Sequence, residues 1–389
     1  MDTPAQKKGM SNAGNTCFFN CMAQSLLHLL KFRAYLNGIS ESVGTDDKYL
    51  HSILSQLNKE LTDTSNESPY INSLSIINRM KQFPELKKFL NGFQQDAHEF
   101  QTAVLTKLDS YLSNHHPKAE IPFSFLPSMK MCTPQIVKIQ RKPSLPLKAG
   151  LRCPLEGQMI STLKCQHCEY ANWTCFPFTD IALSVHDAFT AGDVKEYLKA
   201  HTERESISDW KCDKCLRIGA FKQLQILRQP DVLCLYFRRS VVDTRGASFK
   251  INTHINFPTK LSLEPYCANF GAKETKASDS SFKKTAAPVD TLSLMGGNKM
   301  FEQPIQSNSN SSKREPEDGP YTLSSVIEHV GATNQGHYMV YLKGTKGGWH
   351  ISDCDVRKVE LSEIHNANAS MLFYSKKKPV KKVQGKKSK

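Results

Sequence analysis

The sequence predicts an α+β fold, with helices gathered in its first third and strands following them. Three observations carry that prediction. Apolar residues recur at helical spacing between Ser11 and Tyr111, short β-branched and aromatic runs take over from about Leu151, and no internal repeat interleaves the two. A chain of 389 residues, 39% hydrophobic and 23% charged, is long enough to bury a large core as one big domain or two to three subdomains.

The helical stripes come first. "NCMAQSLLHLLKFRAYL" sets Met22, Leu26, Leu29 and Leu30 on one face, and "KYLHSILSQLNKEL" does the same with Leu50, Ile53, Leu54 and Leu57. "QQDAHEFQTAVLTKLDSYL" repeats the spacing through Phe100, Val104, Leu108 and Leu112, and polar loops such as "GISESVGTDD" and "TDTSNESP" separate the three. Strands are expected at "FTDIALSV", "FKQLQILRQPDVLCLYFRRSV" and "KINTHINF", with one helix, "AGDVKEYLKAHT", among them. From about Ala268 to Gly319 the chain is rich in Ser, Lys, Asn and Gly with few aliphatics. Burial there is too small to offset ordering entropy, so a disordered insertion is expected. Strands resume with "YTLSSVIEHV", "GHYMVYLKG", "WHISDCDV" and "SMLFYSK".

Charge narrows the function classes. The net charge is +14, but the last fourteen residues, "KKKPVKKVQGKKSK", hold eight lysines. That tail reads as a solvated end, with a nuclear-import or acidic-surface signal as the functional alternative. The rest is mildly basic and shows no basic–aromatic stripe, so no specific nucleic-acid partner is expected. No apolar run approaches the roughly 20 residues of a membrane span, and "MDTPAQKKG" does not read as a secretory leader. Twelve cysteines are too few for a disulfide scaffold. In a reducing compartment they read as ligands or nucleophiles.

Four of them have metal spacing. "CQHC" supplies Cys165 and Cys168, and "CDKC" supplies Cys212 and Cys215. Two C-x₂-C knuckles provide the four thiolates of a tetrahedral zinc site, structural because no coordination position stays open. The 47 residues from Cys165 to Cys212 exceed a ribbon's usual spacing, so intervening strands must bring the knuckles together. Cys153, Cys175 and His167 are weaker ligand candidates beside the first knuckle.

A fifth cysteine suggests chemistry. In "GNTCFFN", Cys17 follows turn residues and opens an apolar helix, where unpaired N–H groups stabilise a thiolate. Asn12 lies close enough in sequence to aim an amide at an oxyanion. A nucleophilic thiol needs a base, and "NQGHYMVYLKG" places His337 at the start of an apolar–aromatic strand that would hold it rigidly. Downstream, "WHISDCDV" offers Ser352, Asp353 and Asp355 to orient it.

On these residues the chain resembles the ubiquitin-specific proteases, papain-like cysteine deubiquitinases. "GMSNAGNTCFFNCMAQSLLHL" is similar to the family's Cys box, "GFQQDAHEF" to its glutamine–aspartate helix, and "GHYMVYLKG…WHISDCDVRKV…SMLFYSK" to its His box and closing strand, all in family order. The resemblance implies a papain-like hand: a helical thumb at about 9–120, and a β palm with zinc-bearing β fingers at about 150–376. The insertion at about 268–319 would interrupt it and the basic tail 377–389 follow it. It implies Cys17 as nucleophile, His337 as base and Asn12 as oxyanion donor, with Asp96 and Glu99 gripping the arginine-bearing tail of ubiquitin. Ubiquitin and ubiquitinated proteins are then the expected partners, with isopeptide hydrolysis the expected reaction and structural Zn²⁺ the only expected cofactor. A catalytically weak ubiquitin-binding scaffold and a protease for a ubiquitin-like modifier are the alternatives.

One departure leaves the base's partner open. The family usually carries two adjacent aspartates after the tryptophan strand, whereas this chain reads Ser352-Asp353-Cys354. Counting back from Val356 puts the first aspartate position on Ser352, and counting forward from Trp349 puts it on Asp353. Ser352 is the favoured partner, which resembles a minority of members, including one at the mitochondrial outer membrane; that member's hydrophobic N-terminal anchor is not found in this sequence. The expected localisation is cytoplasmic, with nuclear entry or peripheral association with mitochondria as alternatives.

Overall fold

The N-terminal apolar stripe folds as two helices rather than one. In the computed structural model, which describes residues 7–115, 151–268 and 321–377 apart from 169, 186–191, 243–244, 247 and 333–334, a short strand β1 (Gly9–Met10) leads into α1 (Cys17–His28) and then α2 (Leu30–Val43). Leu29 breaks the run with an extended ψ of 111° while its side chain stays buried. Helix α3 (Leu50–Thr62) follows as the second stripe requires. Strand β2 (Tyr70–Ile71) pairs in parallel with β1. Two helices that the stripes did not announce come next. In α4 (Ser73–Met80) the Asn72 side chain caps the first turn by accepting from the Leu74 N–H at 3.0 Å, and α5 (Pro84–Lys87) begins on a proline. Helix α6 (Ala97–His115) carries Phe100, whose ring meets those of Phe18, Phe19 and Phe89 edge-on at 5.3, 6.0 and 5.5 Å.

Beyond residue 150 the chain builds two sheets. It runs β3 (Gly157–Cys165), β4 (Ala171–Phe178), β5 (Ile181–Ser184), β6 (Gly192–Asp193), α7 (Val194–Thr202), β7 (Glu205–Lys211), β8 (Ile218–Arg228) and β9 (Val232–Arg238). Short strands β10 (Ser240–Val242), β11 (Ser248–Lys250), β12 (Ile255–Asn256) and β13 (Lys260–Leu261) precede β14 (Tyr321–Gly331) and β15 (Gly336–Lys343). The described chain closes with β16 (Gly348–Ser352), β17 (Asp355–Val359), α8 (Leu361–Asn366) and β18 (Ala369–Lys376). The larger sheet runs β17-β16-β15-β14-β18-β9-β5, with β13 also on β14, and the smaller runs β4-β3-β8-β7. The family hand anticipated for an α+β chain is the architecture observed, with the smaller sheet as the fingers.

Both faces of the larger sheet are buried along its central strands β18 and β9, which explains why those strands read as unbroken apolar runs. Along β18, Met371 and Phe373 face the helices while Leu372 and Tyr374 face a second core with α7 and α8. In β9, Val232 and Cys234 join the first core, and Leu233, Leu235 and Phe237 the second. Period-two alternation is present, but both alternating sets are apolar.

"WHISDCDV" is a hairpin, not one strand. Ser352 pairs with Asp355 across a two-residue turn of Asp353 and Cys354, and Asp353 adopts a φ of +51°. Tight hairpin turns demand positive φ, and aspartate tolerates it better than most residues. The expected insertion lies outside the described residues except for Ala268, as does the basic tail beyond Lys377.

Truncating the side chain at the centre of the helical core leaves a void that three edge-on rings cannot close. Phe100→Ala should therefore lower unfolding free energy by about 3–5 kcal/mol, measured as a shift in urea midpoint at unchanged slope.

Candidate active site and metal cluster

Cys17 is the first residue of α1 and is buried. The helix packs against β15, so the thiol meets the backbone at Tyr338, next to His337. Burial pushes the thiol pKa up; the N–H of Tyr338 draws it down, the Asp353 carboxylate adds to the rise, and the N–H groups of Phe18 and Cys17 again draw it down. Burial is the largest of these effects, so the thiol rests protonated. Cys21, one turn further on, is fully buried and its pKa is pushed up well beyond that of an ordinary thiol. It belongs to the helical core.

His337 stands at the start of β15. Its Nε2 lies 2.9 Å from Ser352 Oγ and 3.9 Å from Asp353 Oδ2. Ser352 thus makes the hydrogen bond, and Asp353 is a neighbouring charge. Asp355 is exposed at the start of β17. Gly336 is small for a reason: a Cβ there would lie 2.4 Å from both the Val330 carbonyl and the His329 ring.

Asp353 organises the surroundings. Its Oδ2 accepts from Asn12 Nδ2 at 2.9 Å and its Oδ1 from Asn20 Nδ2 at 2.7 Å. Its carbonyl accepts from the Met10 N–H at 2.9 Å. The Asn12 amide cannot turn over freely, because its Oδ1 accepts from the Thr16 N–H at 3.0 Å. One Nδ2 hydrogen of Asn12 is committed to Asp353, and a second remains. Strand β1 lies directly on this turn, since a Cβ on Gly9 would sit 2.5 Å from the Asp353 carbonyl oxygen.

Two residues escaped sequence reasoning. Asn20, buried on α1, also reaches the Met10 and Ser11 carbonyls at 3.3 and 3.2 Å. A polar residue inside the apolar run "CFFNC" was the available signal, since such a residue is buried only with partners. Gln94 grips the Gly336 peptide from both sides: it accepts from the Gly336 N–H at 2.7 Å and donates to the Gly336 carbonyl. Nothing local to "FQQD" distinguishes it from Gln95.

Asp96 and Glu99 lie at the start of α6. Asp96 Oδ1 accepts from the N–H groups of His98 and Glu99 at 2.8 and 2.9 Å, so that oxygen caps the helix. Its Oδ2 is 3.4 Å from the Tyr236 hydroxyl. Glu99 is exposed. The His98 ring stacks on Tyr236 at 3.9 Å, with Nε2 2.9 Å from Asp180 Oδ1.

At the far end of the smaller sheet, β3 and β8 run side by side, with Cys165 opposite Ala220. The tips of the β3–β4 and β7–β8 hairpins therefore converge, which accounts for the long spacing between the knuckles. The ligand atoms of Cys165, Cys168, Cys212 and Cys215 lie within 4.8 Å of one another. Cys165 Sγ is 3.6 Å from Cys215 Sγ, and Cys168 Sγ is 3.7 Å from Cys212 Sγ. A tetrahedron with metal–sulfur bonds of about 2.3 Å has edges of about 3.8 Å, so the four sulfurs fit a metal ion. Leu216, just past the second knuckle, holds a φ of +61°. His167 Nε2 pairs with the Ile218 carbonyl at 3.0 Å, and Cys153 is buried in the helical core.

Comparison with known proteins adds the following. Residues 8–374 match the model of the family described as ubiquitin carboxyl-terminal hydrolase. The chain is 25% identical over 385 residues to ubiquitin carboxyl-terminal hydrolase 8 of Saccharomyces cerevisiae, covering 94% of this chain and 70% of that one. It is 24% identical to ubiquitin carboxyl-terminal hydrolase 27 of Mus musculus, covering 95% of this chain and 78% of the relative. Identity is also 24% to ubiquitin carboxyl-terminal hydrolase 36 of Drosophila melanogaster, of which it spans only 29%. In fold it is similar to Ubp8 structures: the SAGA Ubp8/Sgf11/Sus1/Sgf73 DUB module bound to ubiquitin aldehyde gives a TM-score of 0.67 at 20% identity, covering 95% of this chain and 70% of that one. A Ubp8 variant in the same module, bound to monoubiquitin, gives 0.68 at 20% identity, covering 97% and 72%.

Asn20→Ala should destabilise the protein by about 1–3 kcal/mol, because it strips a hydrogen bond from a mostly buried carboxylate. Asn20→Asp should be worse near neutral pH and should recover on acidification, as one carboxyl of the new pair protonates. Denaturant midpoints of the two variants across pH test both.

Proposed function

The chain belongs to the ubiquitin carboxyl-terminal hydrolase family, and from that premise we propose that it is a thiol-dependent deubiquitinase that cleaves the isopeptide bond at the C-terminal glycine of ubiquitin. The observation that carries this reading is the 2.9 Å contact of His337 Nε2 with Ser352 Oγ, on the strand whose next N–H meets the Cys17 thiol. With Nε2–H donating to Ser352, the lone pair sits on Nδ1, the nitrogen that would take the thiol proton.

A buried, protonated thiol must hand its proton to a base as it reacts. Cys17 Sγ attacks the carbonyl carbon of the ubiquitin C-terminal glycine while His337 Nδ1 takes the thiol proton. The carbonyl oxygen becomes an oxyanion, for which the Cys17 N–H and the free Nδ2 hydrogen of Asn12 are the donors. The imidazolium then protonates the departing lysine amine and the C–N bond breaks. Water, deprotonated by His337, cleaves the thioester and returns the thiol. A neutral serine orients the ring without compensating its charge, and the carboxylate 3.9 Å away supplies that field. Ser352 and Asp353 thus divide between them what a single aspartate does in a Ser-His-Asp triad.

Asp96 Oδ2 makes only a long 3.4 Å contact with the Tyr236 hydroxyl and Glu99 is exposed, which supports their assignment to the arginine-bearing tail of ubiquitin. The cysteine cluster is proposed as a structural zinc site, closed to solvent chemistry by its four thiolates. It would join two hairpins whose mutual core is small.

Cys17→Ala should abolish hydrolysis of a ubiquitin conjugate and preserve ubiquitin binding. Ser352→Ala should lower kcat with little change in KM, by less than the roughly 10⁴ that a charged orienting group contributes. Asp353→Ala should lower kcat and stability together, since it also releases Asn12 and Asn20. Near-normal turnover in Ser352→Ala would reject the assigned division of roles, and full activity in Cys17→Ala would reject the function.

Elemental analysis of untagged protein should find one zinc per chain. Removing it with a chelator should lower the thermal midpoint, and Cys212→Ser should reproduce that loss in a chelator-independent way.

A further inference from the structure

At the opposite end of α1 from the thiol, about 17 Å along a twelve-residue helix, lies an open cavity of about 1010 Å³. Its floor is apolar, formed by Leu27, Leu29, Leu30, Leu61 and Leu323, and Leu30 is 54% exposed. Around that floor stand Lys7, His28, Lys31, Arg33, Lys343 and Lys376, and no described Asp or Glu lines it. Among the described residues, a carboxylate partners only Lys31 of these: Asp231, on the outer surface at 3.0 Å. Lys376 donates to Gln229 Oε1.

Two of these groups are disfavoured as cations, by burial first and by neighbouring charge second. Burial and the Arg33 charge push the Lys7 amine down to about 8, and burial with Lys7 pushes His28 down to about 4. Helix α2 is also charged the wrong way round. Its N-terminus has no side-chain cap and no acidic residue in the first turn, where a negative charge would stabilise it. Lys31 and Arg33 occupy those positions instead. Local choices that conflict with the fold mark places where something else is selected for.

We propose that this cavity is a docking site for an acidic, leucine-bearing peptide segment of a partner protein. The charges come from three separate elements that line the cavity: Lys31 and Arg33 on α2, Lys343 at the end of β15, and Lys376 at the end of β18. One compact headgroup would engage a neighbouring pair and leave the others uncompensated. A segment with spaced carboxylates meets them in turn and lays an aliphatic side chain on the exposed leucines.

The probe is a fluorescein-labelled peptide alternating glutamate and leucine, titrated with the full chain and followed by anisotropy. Saturable binding should weaken about tenfold or more in Lys7→Glu/Arg33→Glu and in Leu30→Asp, with hydrolysis of a ubiquitin–fluorophore substrate unchanged. A chain ending at Lys376 should still bind. The glutamines of Lys7→Gln/Arg33→Gln should hold or raise the thermal midpoint while weakening the peptide, which separates lost docking from lost folding. Equal binding by the charge-reversed variant overturns the proposal, as does equal binding of a peptide with glycine in place of leucine. Complete loss on removing 377–389 would assign binding to the tail, and capture by phosphatidylserine vesicles without peptide binding would assign the cavity to a membrane; either overturns it.

Discussion

The Asp353 turn holds together two halves of the molecule that are far apart in sequence. Its carbonyl secures β1, and its two carboxylate oxygens secure the amides of Asn12 and Asn20. The same tight turn delivers Ser352 to the His337 ring. A residue with positive φ therefore ties the helix that bears the thiol, through Asn20, to the turn that carries Ser352. Because the carboxylate is largely shielded from water, its hydrogen bonds are strong and their loss is expensive. Gly9 is small so that β1 can approach this turn.

The wider architecture serves that junction by giving it rigid supports. A sheet buried on both faces cannot slide or flex without opening one of two close-packed cores. The Gln94 amide clamps the Gly336 peptide to the helical side, immediately before His337. A thiol placed at a helix N-terminus and an imidazole at a strand start inherit the stiffness of those elements, which the proposed hydrolysis through a brief tetrahedral intermediate requires.

The fingers follow different physics. Their four-stranded sheet has few buried residues toward its tip, where Leu216 and Ile218 are exposed. Four sulfurs converge there within 4.8 Å of one another, and a metal ion held by them would supply the cross-link that apolar burial does not. The two ends of the molecule are thus stabilised differently: a dense helical core around Phe100 at one, and a metal-ready cluster at the other.

Much of this was legible in residue order. Helical stripes at period 3.6, apolar strands, the paired C-x₂-C knuckles, and a thiol and imidazole in favourable local settings are all local patterns, and local patterns survive in a sequence. The break at Leu29, the short helices α4 and α5, and the roles of Asn20 and Gln94 were not legible. Nor was the arbitration between Ser352 and Asp353, because a hairpin with a positive-φ turn and a straight strand have the same letters. Asn20 meets Asp353 across 333 residues, and the cations around the α2 cavity come from elements equally scattered. The sequence by itself determined which chemical groups this protein possesses and the periodicity with which they fold. Only the tertiary structure decided which groups touch, because contacts between distant segments are set by how whole helices and sheets pack.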